Sequence, residues 1–252
     1  MKVNILYING WASNPSVFNS LIKELSTVTK SGIVIDWFSE RSLTNEGINN
    51  ALLNFDENVP TILIGWSSAC FPILEYLSTM DLSNSNIVGS VLIGASPRFV
   101  SANTPDYNFG WHAPIVLQMA ENLLKNPTEV IDAFIKKSIS QSDKKSDDCA
   151  KVYVEAFQDP QINSKQNTNL ADGLKQLACV DARDHVQSIA VPICLITGSE
   201  DLICPSQSAQ WLHAHLKESQ LHLIENTGHA PHVFKTNECS DYIKQFLKGL
   251  NF

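Results

Sequence analysis

The sequence predicts an α/β fold: a mostly parallel sheet of about six strands, helices on both of its faces, and a helical insertion near its middle. Three observations predict it. Short apolar runs with few charges alternate with segments whose apolar residues recur at helical spacing, the rhythm of buried parallel strands joined by helices. That rhythm stops at Ser96 and resumes near Ile189, with helical patterns between. The chain has 252 residues, 44% of them hydrophobic, enough for one sizeable core carrying an insertion.

The elements follow in order. Residues 3–8 form an apolar strand, 16–29 a helix, 33–37 a strand and 42–56 a helix. The run Thr61-Ile62-Leu63-Ile64 opens a strand over 61–65, followed by helix 69–80 and strand 87–94. Helical patterns then cover 114–125, 127–139 and 147–157, with a further stretch at 171–178. The Gln- and Asn-rich segment 160–169 reads as a loop among them. Strand 191–196, helix 205–217, strand 220–225 and helix 237–249 complete the chain. Residues 1–96 and 190–252 are thus expected to form the core, and 97–189 a helical cap over one edge of the sheet.

Chemistry enters at Gly65-Trp66-Ser67-Ser68-Ala69, between a strand and a helix. A serine at so sharp a turn needs small residues two positions before and two after it, here Gly65 and Ala69. The turn exposes the hydroxyl above the sheet and aims the next helix's N-terminus at it, where backbone N–H groups can stabilise an oxyanion. A plain helix N-cap serine is the bland alternative. Two partners follow in the order such a serine requires, a carboxylate and then a histidine. Asp201 stands just past the strand Ile193-Cys194-Leu195-Ile196, and His229 lies in Gly228-His229-Ala230-Pro231 after Leu221-His222-Leu223-Ile224. Alone, each reads as a turn aspartate or a loop histidine; all three at strand ends, in one order, point to a nucleophile, a base and the base's orienter. The first strand runs into Asn9-Gly10-Trp11, the loop from which a second oxyanion donor comes. The expected donors are the backbone N–H groups of Trp11 and Ser68.

On these residues the chain resembles the α/β-hydrolases, and within them the pimeloyl-[acyl-carrier protein] methyl ester esterases of biotin synthesis. The resemblance spans nearly the whole chain. It is strongest at Gly10-Trp11, Gly65-Trp66-Ser67, Ala95-Ser96-Pro97-Arg98-Phe99, Gly173-Leu174 to Leu177, Val191-Pro192 to Pro205, and Gly228-His229-Ala230-Pro231. It implies Ser67, Asp201 and His229 as a catalytic triad, with Trp11 and Ser68 as the oxyanion hole. It further implies that Trp11, Phe99 and Phe134 contact the acyl substrate. The implied activity is that of a cofactor-independent serine carboxylesterase acting on the methyl ester of a medium-chain acyl group held on an acyl carrier protein. The chain departs from the family in places. Ala69 replaces the elbow's second glycine, and Asp36-Trp37-Phe38-Ser39-Glu40 stands where a glycine-rich loop is usual. Glu129 and Ala133 occupy two positions where the family's cap uses arginines against the carrier. The early first strand implies about six strands rather than eight.

Charge and composition narrow the alternatives. Net charge is −8, with 18 basic and 26 acidic residues, which argues against a nucleic-acid partner. No apolar run approaches the ~20 residues of a membrane span, and Met1-Lys2-Val3 leads straight into a strand, so a cytoplasmic protein is expected. The six cysteines form no C-x-x-C pair and no metal is expected. Cys70 and Cys194 read as small buried side chains. His213 and His215 point to different faces of a helix. His232 is read as lining its loop or facing solvent. Lys136, Lys137, Lys144, Lys145 and Lys151 fall within the near-neutral insertion. They read as a solvated face or as a landing site for an acidic carrier protein. The apolar residues Trp111, Leu117 and Val130 are candidates to cover the acyl pocket with Phe134. Two other readings remain at this level: a broad carboxylesterase or thioesterase with no carrier partner, and a non-catalytic ligand-binding protein of the same fold.

Overall fold

A computed structural model describes residues 2–36, 45–81, 85–158 and 164–250. Six strands, β1 (Val3–Ile8), β2 (Thr29–Ile35), β3 (Thr61–Trp66), β4 (Ile87–Ile93), β5 (Ile193–Gly198) and β6 (Ser219–Ile224), form one sheet in the order β2-β1-β3-β4-β5-β6. Every neighbouring pair is parallel, as the sequence predicts. Helices α1 (Asn19–Leu25), α2 (Asn45–Leu52) and α3 (Cys70–Thr79) join the first four strands. Between β4 and β5 lie α4 (Ala113–Lys125), α5 (Pro127–Ser138), α6 (Asp147–Glu155) and α7 (Ser164–Leu177). Helix α8 (Ser206–His215) joins β5 to β6, and the short α9 (Pro231–Phe234) and α10 (Thr236–Gly249) follow.

Strand residues alternate between two core layers, as the period of two requires. Ile5, Tyr7, Ile62, Ile64, Val91, Ile93, Cys194 and Ile196 face the layer shared with Leu21 and Leu25 of α1 and Ile243 and Phe246 of α10. Leu6, Ile8, Leu63, Leu92, Ile193 and Leu195 face the other, with Ile48, Ile73, Leu74 and Leu212. Cutting one of these buried aliphatic side chains to alanine costs about 2–5 kcal/mol. Among the described residues no helix is long and apolar enough to cross a membrane.

Several boundaries differ from the sequence reading: the helix expected over 42–56 ends at Leu52, and the strand expected over 191–196 runs from Ile193 to Gly198. Strand β2 begins at Thr29, not near 33, so the helix expected to reach 29 ends at Leu25. The segment Thr29-Lys30-Ser31-Gly32 has no apolar run because β2 is an edge strand, largely solvated at its start. Residues 164–169, expected in a loop, are the first part of α7. Leu170, Leu174 and Leu177, spaced four and three apart, are buried in the layer that also takes Val116, Ala120 and Leu123 of α4. That packing outweighs the modest helix preference of Asn and Thr. Residues 37–40, 42–44 and 160–163 of the expected elements lie outside the described residues.

The sheet order sets where a site can form. The chain leaves β1 toward β2 on one side and takes up β3 on the other. The loops after β1 and β3 therefore diverge and leave a crevice at the C-terminal edge of the sheet. The segments after β5 and β6 reach the same edge.

Candidate active site

Ser67 directly follows β3 with a φ of +58°, a left-handed conformation that costs a non-glycine residue about 1–2 kcal/mol. Gly65 packs beside the end of the Ile73 side chain, which a Cβ there would push aside. Ala69, in the place of a second glycine, is accommodated and fully buried. A 3₁₀ turn over Ser67–Ala69 leads into α3. Pro72 falls in the first turn of α3, where proline's fixed φ is tolerated. Ser67 is not a capping serine: neither the turn nor α3 has a side-chain cap.

The three residues at the strand ends meet. Ser67 Oγ lies 2.7 Å from His229 Nε2, and His229 Nδ1 lies 2.8 Å from Asp201 Oδ2. Asp201 stands three residues past β5, and its second oxygen accepts the backbone N–H groups of Ile203 (2.8 Å) and Cys204 (2.9 Å). These bonds fix the carboxylate's direction. With Asp201 on Nδ1, the neutral ring carries its proton there and leaves Nε2 to accept from Ser67. The His229 and Asp201 side chains are wholly buried. His229 is also gripped by its backbone: its N–H donates to the Ser138 carbonyl, and its carbonyl accepts from Trp66 Nε1, both at 2.9 Å.

The loop after β1 lies against the serine. A Cβ on Gly10 would stand 3.1 Å from Ser67 Cβ and 3.0 Å from the Trp66 ring, tighter than ordinary contact, so glycine eases the close approach of the Gly10-Trp11 backbone. Ser68, second in its 3₁₀ turn, has an N–H with no carbonyl behind it in the turn. The Trp11 indole is tied to the insertion, its Nε1 donating to Leu170 O at 3.0 Å and its ring meeting Phe134 edge-on at 5.0 Å.

A narrow apolar pocket opens beside Ser67. Trp11, Phe71, Phe99, Trp111, Phe134 and Leu174 are among its walls, and the Ser67 and Ser68 side chains are the polar ones. Trp11, Phe99 and Phe134, which the resemblance implied as substrate contacts, are thus all wall residues of this pocket. Phe99 stacks on Trp111, whose Nε1 donates to Ile203 O at 2.9 Å, and Lys137 Nζ stands 5.1 Å above the Trp111 ring. Leu117 is exposed on α4 and Val130 packs beside the core cluster; neither lines the pocket. Lys136, Lys137, Lys144, Lys145 and Lys151 are all exposed, and Lys151 approaches Glu155 at 4.0 Å.

His232 corrects the sequence reading. It is fully buried in α9, its ring 5.0 Å from that of Trp66 and 5.3 Å from that of Phe18. Burial, and then the neighbouring His229, push its pKa down to about 3. The sequence reading also missed Asp143, which is buried beside the His229 loop. Its only sequence signal is an acid between serines at a helix end.

A parallel sheet of this order, with a serine on the strand–turn–helix after β3 and a histidine and an aspartate on the same edge, defines an α/β hydrolase. A model of the alpha/beta hydrolase family matches residues 5–237, and the chain belongs to that family. It is similar to the pimeloyl-[acyl-carrier protein] methyl ester esterase of Nitrosomonas europaea, 26% identical over 90% of this chain and 89% of the relative. It is likewise similar to the protein of that name from Aliivibrio salmonicida, 23% identical over 97% of this chain and 92% of the relative. Among solved structures, an esterase from Exiguobacterium antarcticum shares its fold, with a TM-score of 0.76 and 18% identity over 98% of this chain and 92% of its own.

Proposed function

We propose that the protein is a serine carboxylesterase that cleaves a short-alcohol ester, a methyl ester, of a medium-chain acyl group. The observation that carries this reading is the unbroken chain Asp201–His229–Ser67 at the foot of an apolar pocket. His229, oriented by Asp201, takes the Ser67 proton as Oγ attacks the ester carbonyl. The Trp11 and Ser68 N–H groups stabilise the tetrahedral oxyanion, and loss of one such donor typically costs about 3–4 kcal/mol. His229 then protonates the leaving alcohol, and water repeats the cycle on the acyl-enzyme. None of these steps calls for a metal or organic cofactor. Residues 97–189 act as the cap: Phe99, Trp111, Phe134 and Leu174 close the pocket and set which acyl group fits.

The relatives' shared name suggests pimeloyl-[acyl-carrier protein] methyl ester as the substrate, and with it a step in biotin synthesis. The exposed lysines of the cap suit an acidic carrier. The cytoplasm, which keeps thiols reduced, suits the free cysteines, Cys179 being exposed. A second reading, a broad carboxylesterase or thioesterase without a carrier, draws support from the pocket itself. Its polar side chains are those of Ser67 and Ser68, so no group there selects a carrier arm.

Purified protein should release methanol from pimeloyl-carrier-protein methyl ester faster than from the free methyl ester. Ser67→Ala should keep the fold and lose a factor of about 10⁴–10⁶ in kcat, together with labelling by a fluorophosphonate probe. Turnover surviving in Ser67→Ala would sink the catalytic reading. Equal rates on carrier-linked and free esters would favour the carrier-independent one.

A further inference from the structure

The histidine of the proposed triad is held by a segment outside the core. Its N–H donates to the carbonyl of Ser138, the last residue of α5. One residue earlier, the Gly228 N–H donates to Asp143 Oδ2 at 2.8 Å; one earlier again, the Thr227 hydroxyl donates to Asp143 Oδ1 at 2.8 Å. Asp143 Oδ2 also accepts the Ser140 N–H at 3.0 Å, and the Asp143 N–H donates to Ser140 Oγ at 3.0 Å, which closes 140–143 into a tight turn. The two backbones touch. A Cβ on Gly228 would stand 2.5 Å from Ser138 O and 3.0 Å from Ser140 N.

Asp143 is only 3% exposed, although Lys144 and Lys145 beside it face solvent. A carboxylate is expensive to take out of water, and closing a turn does not require one. What the second and third donors add is a rigid link to Thr227 and Gly228. We infer that Asp143 is a positioning residue for His229, fixing residues 227–229 against the insertion so that Nε2 stands within hydrogen-bond reach of Ser67. This rests on the reading of Ser67, His229 and Asp201 as catalytic. Asp143 does not line the pocket, so its effect falls on the chemical step and not on substrate binding.

The test uses the full chain and p-nitrophenyl acetate, an ester that needs no carrier. Asp143→Asn turns an amide N–H toward donors that now meet a carboxylate. The kcat should fall about ten- to hundredfold, the scale of a small misplacement of a reacting group. KM should stay within about twofold, and the rate of fluorophosphonate labelling should fall with kcat. In a His229→Ala background, Asp143→Asn should cause no further loss, because a residue acting through His229 has nothing left to act through. A merely structural role would lower the double variant further. Such an additive loss, or a folded Asp143→Asn with wild-type kcat, overturns the inference. Should Asp143→Asn fail to fold, Thr227→Val removes one of the three accepted bonds, and a severalfold fall in kcat at constant KM is expected, again absent without His229. Ser67→Ala is the control. Its remaining active would refute the catalytic reading, whereas a dead Ser67→Ala beside a fully active Asp143→Asn refutes the positioning role alone.

Discussion

Three residues beyond His229, His232 has neither ring nitrogen bonded to a protein partner among the described residues. Its imidazole stays neutral in the fold until pH falls to about 3, whereas in the unfolded chain it takes up a proton near ~6.5. Between those values the unfolded state binds more protons, so stability drops as pH falls, by about 2 kcal/mol at pH 5 from this group alone. His232→Phe removes that dependence. Urea unfolding at pH 7 and pH 5 should show the variant losing about 2 kcal/mol less than the parent over that interval; parallel losses would refute it. The sequence did not reveal this burial, because the four-residue α9 is too short to show a periodicity that says which way His232 turns. Ser67, Asp201 and His229 were legible because each stands a short step past an apolar strand. Asp143 was not, since Thr227 and Gly228 lie 84 and 85 residues further along the chain.

At the scale of elements, the two ends of the segment between β4 and β5 are tied to each other. The Ala182 N–H donates to Pro97 O at 2.8 Å. Asp181 accepts Arg98 Nη1 at 2.6 Å and both Nε and Nη2 of Arg183 at 2.9 Å, while the Arg183 guanidinium lies 5.5 Å above the Tyr107 ring. Partial burial would raise the Asp181 carboxyl, but the hydrogen bonds from Arg183 and Arg98 outweigh it and hold the group below its ordinary value. A depressed folded pKa means that the latch stabilises above the ordinary carboxylate range and is lost as pH falls through the folded value. Asp181→Ala should therefore cost about 1–2 kcal/mol at pH 7, more than an exposed pair because Arg183 binds through two nitrogens. The gap from the parent should narrow below about pH 4. Equal stability at pH 7, measured by denaturant unfolding, would show that the latch contributes nothing. Most helices and strands were readable from periodicity. The start of β2 was not, because an edge strand can be polar, nor the first turn and a half of α7, because residues 165–169 are polar and precede the buried leucines that hold the helix.

Across the whole molecule, a chain of net charge −8 carries an exposed lysine group on the insertion, at the end of α5, in the turn after it, and on α6. If these lysines guide an acidic carrier, reversing Lys136, Lys144, Lys145 and Lys151 together should lower kcat/KM on the carrier-linked ester by about tenfold or more, since each exposed pair contributes only about 0.2–1 kcal/mol. Lys137 is left in place because it rests on the Trp111 wall of the pocket. Hydrolysis of the free methyl ester should stay within about twofold, and added salt should mimic the substitutions over a screening length of ~8–10 Å. Loss on both substrates would indicate damage to the insertion; loss on neither would leave the lysines as a solvated face. The parallel sheet and the order of its site residues could be read from the chain at this scale. The contact between the insertion and the His229 loop could not, because it joins two segments that carry no shared pattern.

Because Ser138 and Asp143 hydrogen-bond the loop of His229, the positioning role proposed above implies that the segment between β4 and β5 is not an interchangeable part. A chimera that swapped residues 97–189 for the corresponding block of a relative would exchange the clamp on the base along with the roof of the pocket. Transplants that end at 137 and begin again at 144 would leave that clamp native and confine the change to which acyl group is admitted.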